Sequence, residues 1–219
     1  MGDEGYIKFR SERIPGPPIE QTHVEDLLAV RKKLFEAKLI GSDSDGVGYG
    51  NISKRVIGSC QFYITGTQTG GLVELHPEHV ARVLTADVGQ NVLRWSGSVN
   101  ASSESLTHWA TYEVDPSINA VIHAHHELLW QYLIRGGMPT TDRLIPYGTP
   151  ELGREVQRLY THGGAGGGKI IAMGGHKDGV LSFGGSADEA YNVLMFWYMR
   201  AMDSLTSRLA SKGPPDRAP

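Results

Sequence analysis

The apolar residues of this chain keep changing period. From residue 22 onward, segments with apolar residues three and four apart, the spacing of one helix face, alternate with short β-prone runs. No internal repeat and no shift in composition marks a linker. A chain patterned this way folds in layers, with helices covering both faces of one sheet. Its length, 219 residues, suits one large domain on a scale of about 100–200 residues per domain. Several strands are joined by short connections, which calls for antiparallel neighbours. The expected architecture is therefore α/β, a single domain with a central, largely antiparallel or mixed sheet.

Helices are expected over about 22–39, 76–84, 102–113, 127–134, 151–160 and 186–212, and strands over 61–65, 91–95, 119–125, 169–173 and 179–183. Thr22 with Glu25, and Ser186 with Glu189, have the capping-box spacing. Ser102 or Ser103 is expected to cap its helix, which Asp115-Pro116 ends. Residues 41–50 read as a loop, 50–53 as a turn and 163–168 (GGAGGG) as a flexible turn. Residues 1–21, polar and bearing Pro15, Pro17 and Pro18, read as an extended arm, and 213–219 as a disordered tail, which leaves 22–212 as the domain.

Composition narrows the function classes. Lys and Arg number 21 against 24 Asp and Glu, so no strong field draws the protein to nucleic acid or an anionic membrane. No apolar stretch approaches the roughly 18 residues of a membrane span, and the acidic, polar start lacks a signal-peptide layout. A cytoplasmic protein that binds neither membrane nor nucleic acid is the expectation. The single cysteine, Cys60, excludes an internal disulfide and every multi-cysteine zinc site. Two counts stand out: 28 glycines, nearly double the ordinary share, and nine unevenly spread histidines.

Val121-Ile122-His123-Ala124-His125-His126 is the most informative segment. Alternate residues of a strand share a face, so His123 and His125 stand about 7 Å apart along it and can converge on one cation. Two polar residues satisfied by loop backbone would look the same. A third ligand could come from His176, which glycines flank. His162 competes for that role but sits in the glycine-rich turn. His23, His76 and His79 fall on helix starts or surfaces, while His108 shares a helix face with Glu104 and suits a supporting position. Ser102-Ser103-Glu104 opens a helix, where N–H groups favour an anion; simple capping explains it equally. Gly50-Asn51-Ile52-Ser53 and Thr67-Gln68-Thr69-Gly70 are turns whose donors could hold phosphate oxygens, although neither is a P-loop.

Taken in order, Gly50-Asn51-Ile52-Ser53, Thr67-Gln68-Thr69-Gly70, Ser102-Ser103-Glu104, His123-Ala124-His125 and His176 resemble the class II aldolase/adducin family, over about 27–202. The resemblance implies a three-layer α/β/α sandwich, assembled as a homotetramer with active sites between subunits. It implies a divalent metal, zinc or else manganese or cobalt, on His123, His125 and His176. Glu104 would be a further ligand at rest and the proton-transferring base in turnover. Asn51, Thr69, Gly70, Ser102 and Ser103 would hold the phosphate of a small, sugar-like substrate.

The implied chemistry passes through a metal-stabilised enediolate, with aldol cleavage or condensation of a phosphorylated ketose foremost. A sugar-phosphate dehydratase or 4-epimerase would use the same site, and a non-catalytic adducin-like module the same fold. The sequence departs from the family at two places. The stretch 129–151 after the paired histidines is shorter, leaving Tyr147 as the stand-in for the tyrosine that protonates the leaving group. The third histidine is followed by Lys177-Asp178-Gly179 rather than directly by glycine, which makes Asp178 a further candidate for the site.

Overall fold

The computed structural model describes residues 6–211, with side chains through residue 207. The expected tail, 213–219, and the first five residues of the arm lie outside the described residues. In chain order the elements are β1 (Arg10–Arg13), α1 (Gln21–Glu36), β2 (Gly41–Ser42), β3 (Gly48–Tyr49), β4 (Asn51–Arg55) and β5 (Phe62–Thr65). A 3-10 turn (Pro77–His79) leads into β6 (Val80–Asp87), β7 (Val92–Gly97), α2 (Ser105–Val114), β8 (Ala120–His125) and α3 (Glu127–Arg135). The chain closes with α4 (Pro150–Thr161), α5 (Ala165–Gly168), β9 (Ile170–Ala172), β10 (Gly179–Gly184) and α6 (Ala187–Ser211). Among the described residues, no helix is long and apolar enough to cross a membrane.

Eight strands form one sheet in the order β1-β7-β6-β5-β4-β8-β10-β9, and β2 pairs with β3 in a separate hairpin. Every neighbouring pair in the large sheet is antiparallel except β1 with β7. Alternation along the strands divides the apolar residues into two cores. Ile52, Ile122, Ala124 and Val180 pack with Leu27, Leu34, Leu129 and Leu194 of α1, α3 and α6. On the opposite face Ile64, Val83, Val121 and Leu181 pack with Leu106, Tyr112 and Val156 of α2 and α4. The architecture is the expected α/β/α sandwich with a mixed, largely antiparallel sheet.

Local expectations failed where burial outweighed a local signal. Residues 80–84 belong to strand β6, not to a helix, because Val80 enters one core while Ala81 and Val83 enter the other. A strand buried on both faces loses the alternation that distinguishes it from a helix. Residues 51–55 form the central strand β4 for the same reason, where a turn was expected. Helix α1 begins at Gln21 behind Glu20, without the Thr22 capping box. A cap contributes about 1 kcal/mol, less than burying Val24, Leu27, Val30 and Leu34 at about 1.5–3 kcal/mol each. At α6 half of the second box forms: Ser186 Oγ accepts the Glu189 N–H, whereas the Glu189 carboxylate takes the Gly185 N–H. Helix α2 begins at Ser105 with Glu104 in the cap position, so neither Ser102 nor Ser103 caps it. Residues 165–168 of the GGAGGG segment form the short helix α5 rather than a flexible turn.

Within the α2-side core, the Ser53 hydroxyl lies 2.7 Å from both His108 Nδ1 and the Tyr112 hydroxyl. All three side chains are buried, and desolvation lowers the His108 pKa to about 3 while raising that of Tyr112. The folded protein therefore takes up the His108 proton only in strong acid, whereas the unfolded chain takes it up near pH 6.5. Stability from this group is complete above about pH 6.5 and falls as pH drops, by about 1.4 kcal/mol per unit. Urea unfolding between about pH 7 and pH 5 should show this slope, diminished by about one proton in H108N. Parallel slopes in the two proteins would remove His108 as its source.

Candidate metal centre and anion-binding turns

Strand β8 enters the sheet through Val121 and Ile122, buried on opposite faces, and its alternation carries His123 and His125 to the face covered by α2. His123 is fully buried and stands opposite Asn51 on β4 and Leu181 on β10. The cross-strand partner of His125 is Gly179, which contributes no side chain. His123 Nδ1 donates to the Val180 carbonyl at 3.2 Å. A carbonyl can only accept, so the lone pair of the neutral ring lies on Nε2, which sits 3.0 Å from His125 Nε2. Burial, then the neighbouring His176 and His108, hold the His123 pKa well below its ordinary value, against a smaller opposite effect from the Val180 bond. The ring is neutral at pH 7, as a metal ligand must be.

His176 reaches the pair from the turn between β9 and β10. Its N–H bonds to Met173 O at 3.2 Å, and Gly179 N–H returns to His176 O at 3.0 Å. This turn accommodates the extra Lys177-Asp178 by placing Asp178 at φ +62°. Gly174 and Gly175 are required because the 141–145 backbone presses on them: an added Cβ would meet Thr141 O at 2.1 Å and Ile145 O at 2.0 Å. The three imidazole centroids lie 4.6–4.9 Å apart, and one ligand nitrogen from each ring falls within 4.8 Å of the others. Two nitrogens bound at about 2.0–2.1 Å to a tetrahedral ion sit about 3.3 Å apart, so the donor set fits a small divalent cation such as zinc.

Glu104 supplies the acid. Its Oε1 is 3.6 Å from His176 Nδ1, and the Thr107 hydroxyl donates to Oε2 at 2.7 Å. It is 1% exposed, and a carboxylate so buried is tolerated only beside compensating donors or cations. Ser102 and Ser103 are buried next to it, and Ser102 Oγ accepts the Glu104 N–H at 3.3 Å.

The glycine turn at residues 66–71 abuts this segment. Gly66 bridges Ala101, and Thr67 N–H donates to Asn100 O at 2.9 Å. Thr69 folds its hydroxyl back to Gly66 O at 2.8 Å. Gly70 packs so closely that a Cβ would meet Gly41 O at 2.3 Å and Tyr49 O at 2.8 Å. Asn51, Thr69, Gly70, Ser102 and Ser103 thus lie on segments tied to the histidine cluster: Asn51 by pairing with His123, the serines through Glu104, and Gly70 through Tyr49, whose ring is 5.4 Å from that of His125. Tyr147 is buried and stacks on His176 at 4.6 Å, with Lys8 Nζ 3.9 Å from the centre of its ring. His162, the competing ligand, caps α4 on the surface.

Sequence reasoning missed Tyr49, Thr107, Gly179, Lys8 and the buried Arg31, which donates to Thr69 O and Gly70 O at 3.0 and 2.8 Å. Tyr49, Thr107 and Gly179 adjoin motif residues and could have been noticed there. Lys8 and Arg31 reach the site only through tertiary packing.

Residues 26–201 match the family described as Class II Aldolase and Adducin N-terminal domain. Curated proteins gave no match to the chain. Similar solved structures include an L-fuculose-1-phosphate aldolase from Thermus thermophilus, at 20% identity and TM-score 0.66, covering 90% of this chain and 99% of that one. A putative aldolase/epimerase/decarboxylase from Klebsiella pneumoniae is 19% identical with TM-score 0.65, over 91% and 93% of the two chains. A sugar-phosphate aldolase from Thermotoga maritima is 20% identical with TM-score 0.62, over 91% and 98%. At these identities the likeness is one of fold.

Gly179 offers a direct test of the donor set. A Cβ there would stand 3.2 Å from both His123 Cε1 and His176 Cγ, inside the cluster. The variant G179A should fold, with its zinc affinity reduced by about tenfold or more. Competition against a chromogenic chelator measures this, and unchanged affinity would show that the three rings do not share an ion.

Proposed function

The chain belongs to the class II aldolase and adducin family, and we propose that it is a metal-dependent, aldolase-like enzyme that cleaves or forms a carbon–carbon bond in a small phosphorylated ketose. The observation that carries this reading is the meeting of three histidine nitrogens within 4.8 Å with a buried glutamate 3.6 Å from one of them. A non-catalytic module of the adducin type has no need of that set.

His123, His125 and His176 hold the cation, with Glu104 completing the resting site. A bound divalent ion, zinc foremost and manganese or cobalt otherwise, supplies Lewis-acid polarisation of the substrate oxygens. Glu104 takes the proton from the substrate carbon beside the carbonyl in condensation and returns it in cleavage, a role open to a carboxylate placed beside the cation. Thr107 restrains its second oxygen, which fixes the direction of transfer. Asn51, Thr69, Gly70, Ser102 and Ser103 orient the phosphate with amide, hydroxyl and backbone donors. Tyr147, stacked on His176, gives a proton to the aldehyde oxygen as the carbon–carbon bond forms and takes it back from that hydroxyl when the bond is cleaved. The enzyme works in the cytoplasm as a homotetramer, an assembly supported by the exposed Phe196 and Met199 on α6.

A dehydratase or 4-epimerase is the second reading. The similar Klebsiella pneumoniae structure, described as a putative aldolase/epimerase/decarboxylase, favours keeping it, because one proton abstraction can begin each reaction.

Purified protein should carry about one equivalent of zinc per chain, and H125A should lose it without unfolding. E104Q should lower kcat by about 10²–10⁴. Product analysis with a panel of ketose phosphates should yield an aldehyde and a triose phosphate, whereas an epimer or a dehydrated product selects the second reading. Zinc below about 0.2 equivalents after supplemented expression would remove the metal-dependent mechanism.

A further inference from the structure

Arg31 projects from α1 under the 66–71 turn and is 2% exposed. Nη2 donates to the carbonyls of Thr69 and Gly70 at 3.0 and 2.8 Å, and Nη1 donates to Val73 O at 3.2 Å. The Phe35 ring lies 4.8 Å from its guanidinium carbon. All its hydrogen-bond partners among the described residues are peptide carbonyls. Buried charges are normally paired with an opposite charge, since carbonyl dipoles repay only part of the lost hydration. Desolvation lowers the Arg31 pKa only to about 10, so the charge persists at neutral pH.

The peptides it holds are trans, as no cis bond occurs among the described residues. A planar trans peptide directs its N–H opposite to its C=O. With the Thr69 and Gly70 carbonyls fixed on the guanidinium, the N–H groups of Gly70 and Gly71 are turned to the other side of the loop. The cation sits at the negative ends of two peptide dipoles whose positive ends are presented away from it, an arrangement that favours an anion there. Close packing of Gly70 on the Gly41 and Tyr49 backbone keeps the turn in place.

We propose that Arg31 is a positioning residue for the phosphoryl group of the substrate: it holds and polarises the two peptides that present N–H groups to that group, and the bound dianion is its missing counter-charge. The inference rests on the phosphorylated-substrate reading above. Arg31 does not touch the ligand; it acts through the peptides of Thr69 and Gly70 and through its field.

Calorimetric titration of inorganic phosphate into the full-length protein, zinc-loaded and again after chelation, tests it. Chelation separates binding at the turn from binding to the metal. R31K, which keeps the charge, should hold phosphate within about threefold of wild type, while R31Q, which keeps donors for the carbonyls but loses the charge, should lose about tenfold or more. F35E leaves Arg31 and its hydrogen bonds intact but supplies a competing carboxylate at a half-buried position, so it should also weaken phosphate by about fivefold or more. It serves as the test if R31Q does not fold. Phosphate affinities in R31Q or F35E within about twofold of wild type would overturn the role of Arg31 and leave the phosphorylated-substrate reading standing. Failure of wild type to bind phosphate at about 10 mM would remove both.

Discussion

One hydrogen bond, from His123 Nδ1 to the Val180 carbonyl, fixes the chemistry of the whole cluster. It leaves the lone pair of the ring on Nε2 and directs that nitrogen toward His125. The bond exists because β8 and β10 pair antiparallel with His123 opposite Leu181. Slipping that register by one residue would turn His123 and His125 into the opposite core, among leucines that offer nothing to an imidazole. Sheet register and ligand geometry are therefore one constraint. The apolar residues that set the register, Val121 and Ile122 among them, belong to the site as much as the histidines do.

Burial shapes each charged or titratable group here differently. His123 responds to it by staying neutral, the state a ligand needs. Glu104 is tolerated through Thr107 and the adjacent imidazole. Arg31 stays charged and is met by carbonyls. The glycine excess has a related explanation: at Gly70, Gly174, Gly175 and Gly179 the main need is close approach of backbone or ring rather than mobility.

Much of this was legible in the sequence. The long elements were, because α1, α4 and α6 each carry one buried stripe, α2, though buried nearly all round, is bounded by the serine turn and Asp115-Pro116, and β8 and β10 are short apolar runs bounded by turn formers. The family motifs named the residues around the cluster. Strands β4 and β6 were not legible, since burial on both faces erased the alternation that marks a strand. Capping at α1 and α2 was misread because a hydroxyl at the right spacing competes with packing worth more than a cap. Lys8 and Arg31 could not be read at all: their partners lie far along the chain, and no local pattern encodes a cation held under a distant turn.

The large sheet begins with four residues and ends with three, and neither outermost strand invites extension. On one side β1 has the sequence Arg-Ser-Glu-Arg, mostly exposed, with Glu12 paired to Arg10 and Arg94. A row of open backbone groups lined by charges of both signs is a poor template for a foreign strand. On the other, the outer edge of the three-residue β9 is already covered: Ala172 donates its N–H to Pro139 O and accepts the Thr141 N–H, before Gly174 and Gly175 turn the chain toward the histidines. The 139–145 stretch that covers this edge also presses on Gly174 and Gly175, so resistance to edge-to-edge aggregation and the placement of the His176 ring come from one length of chain.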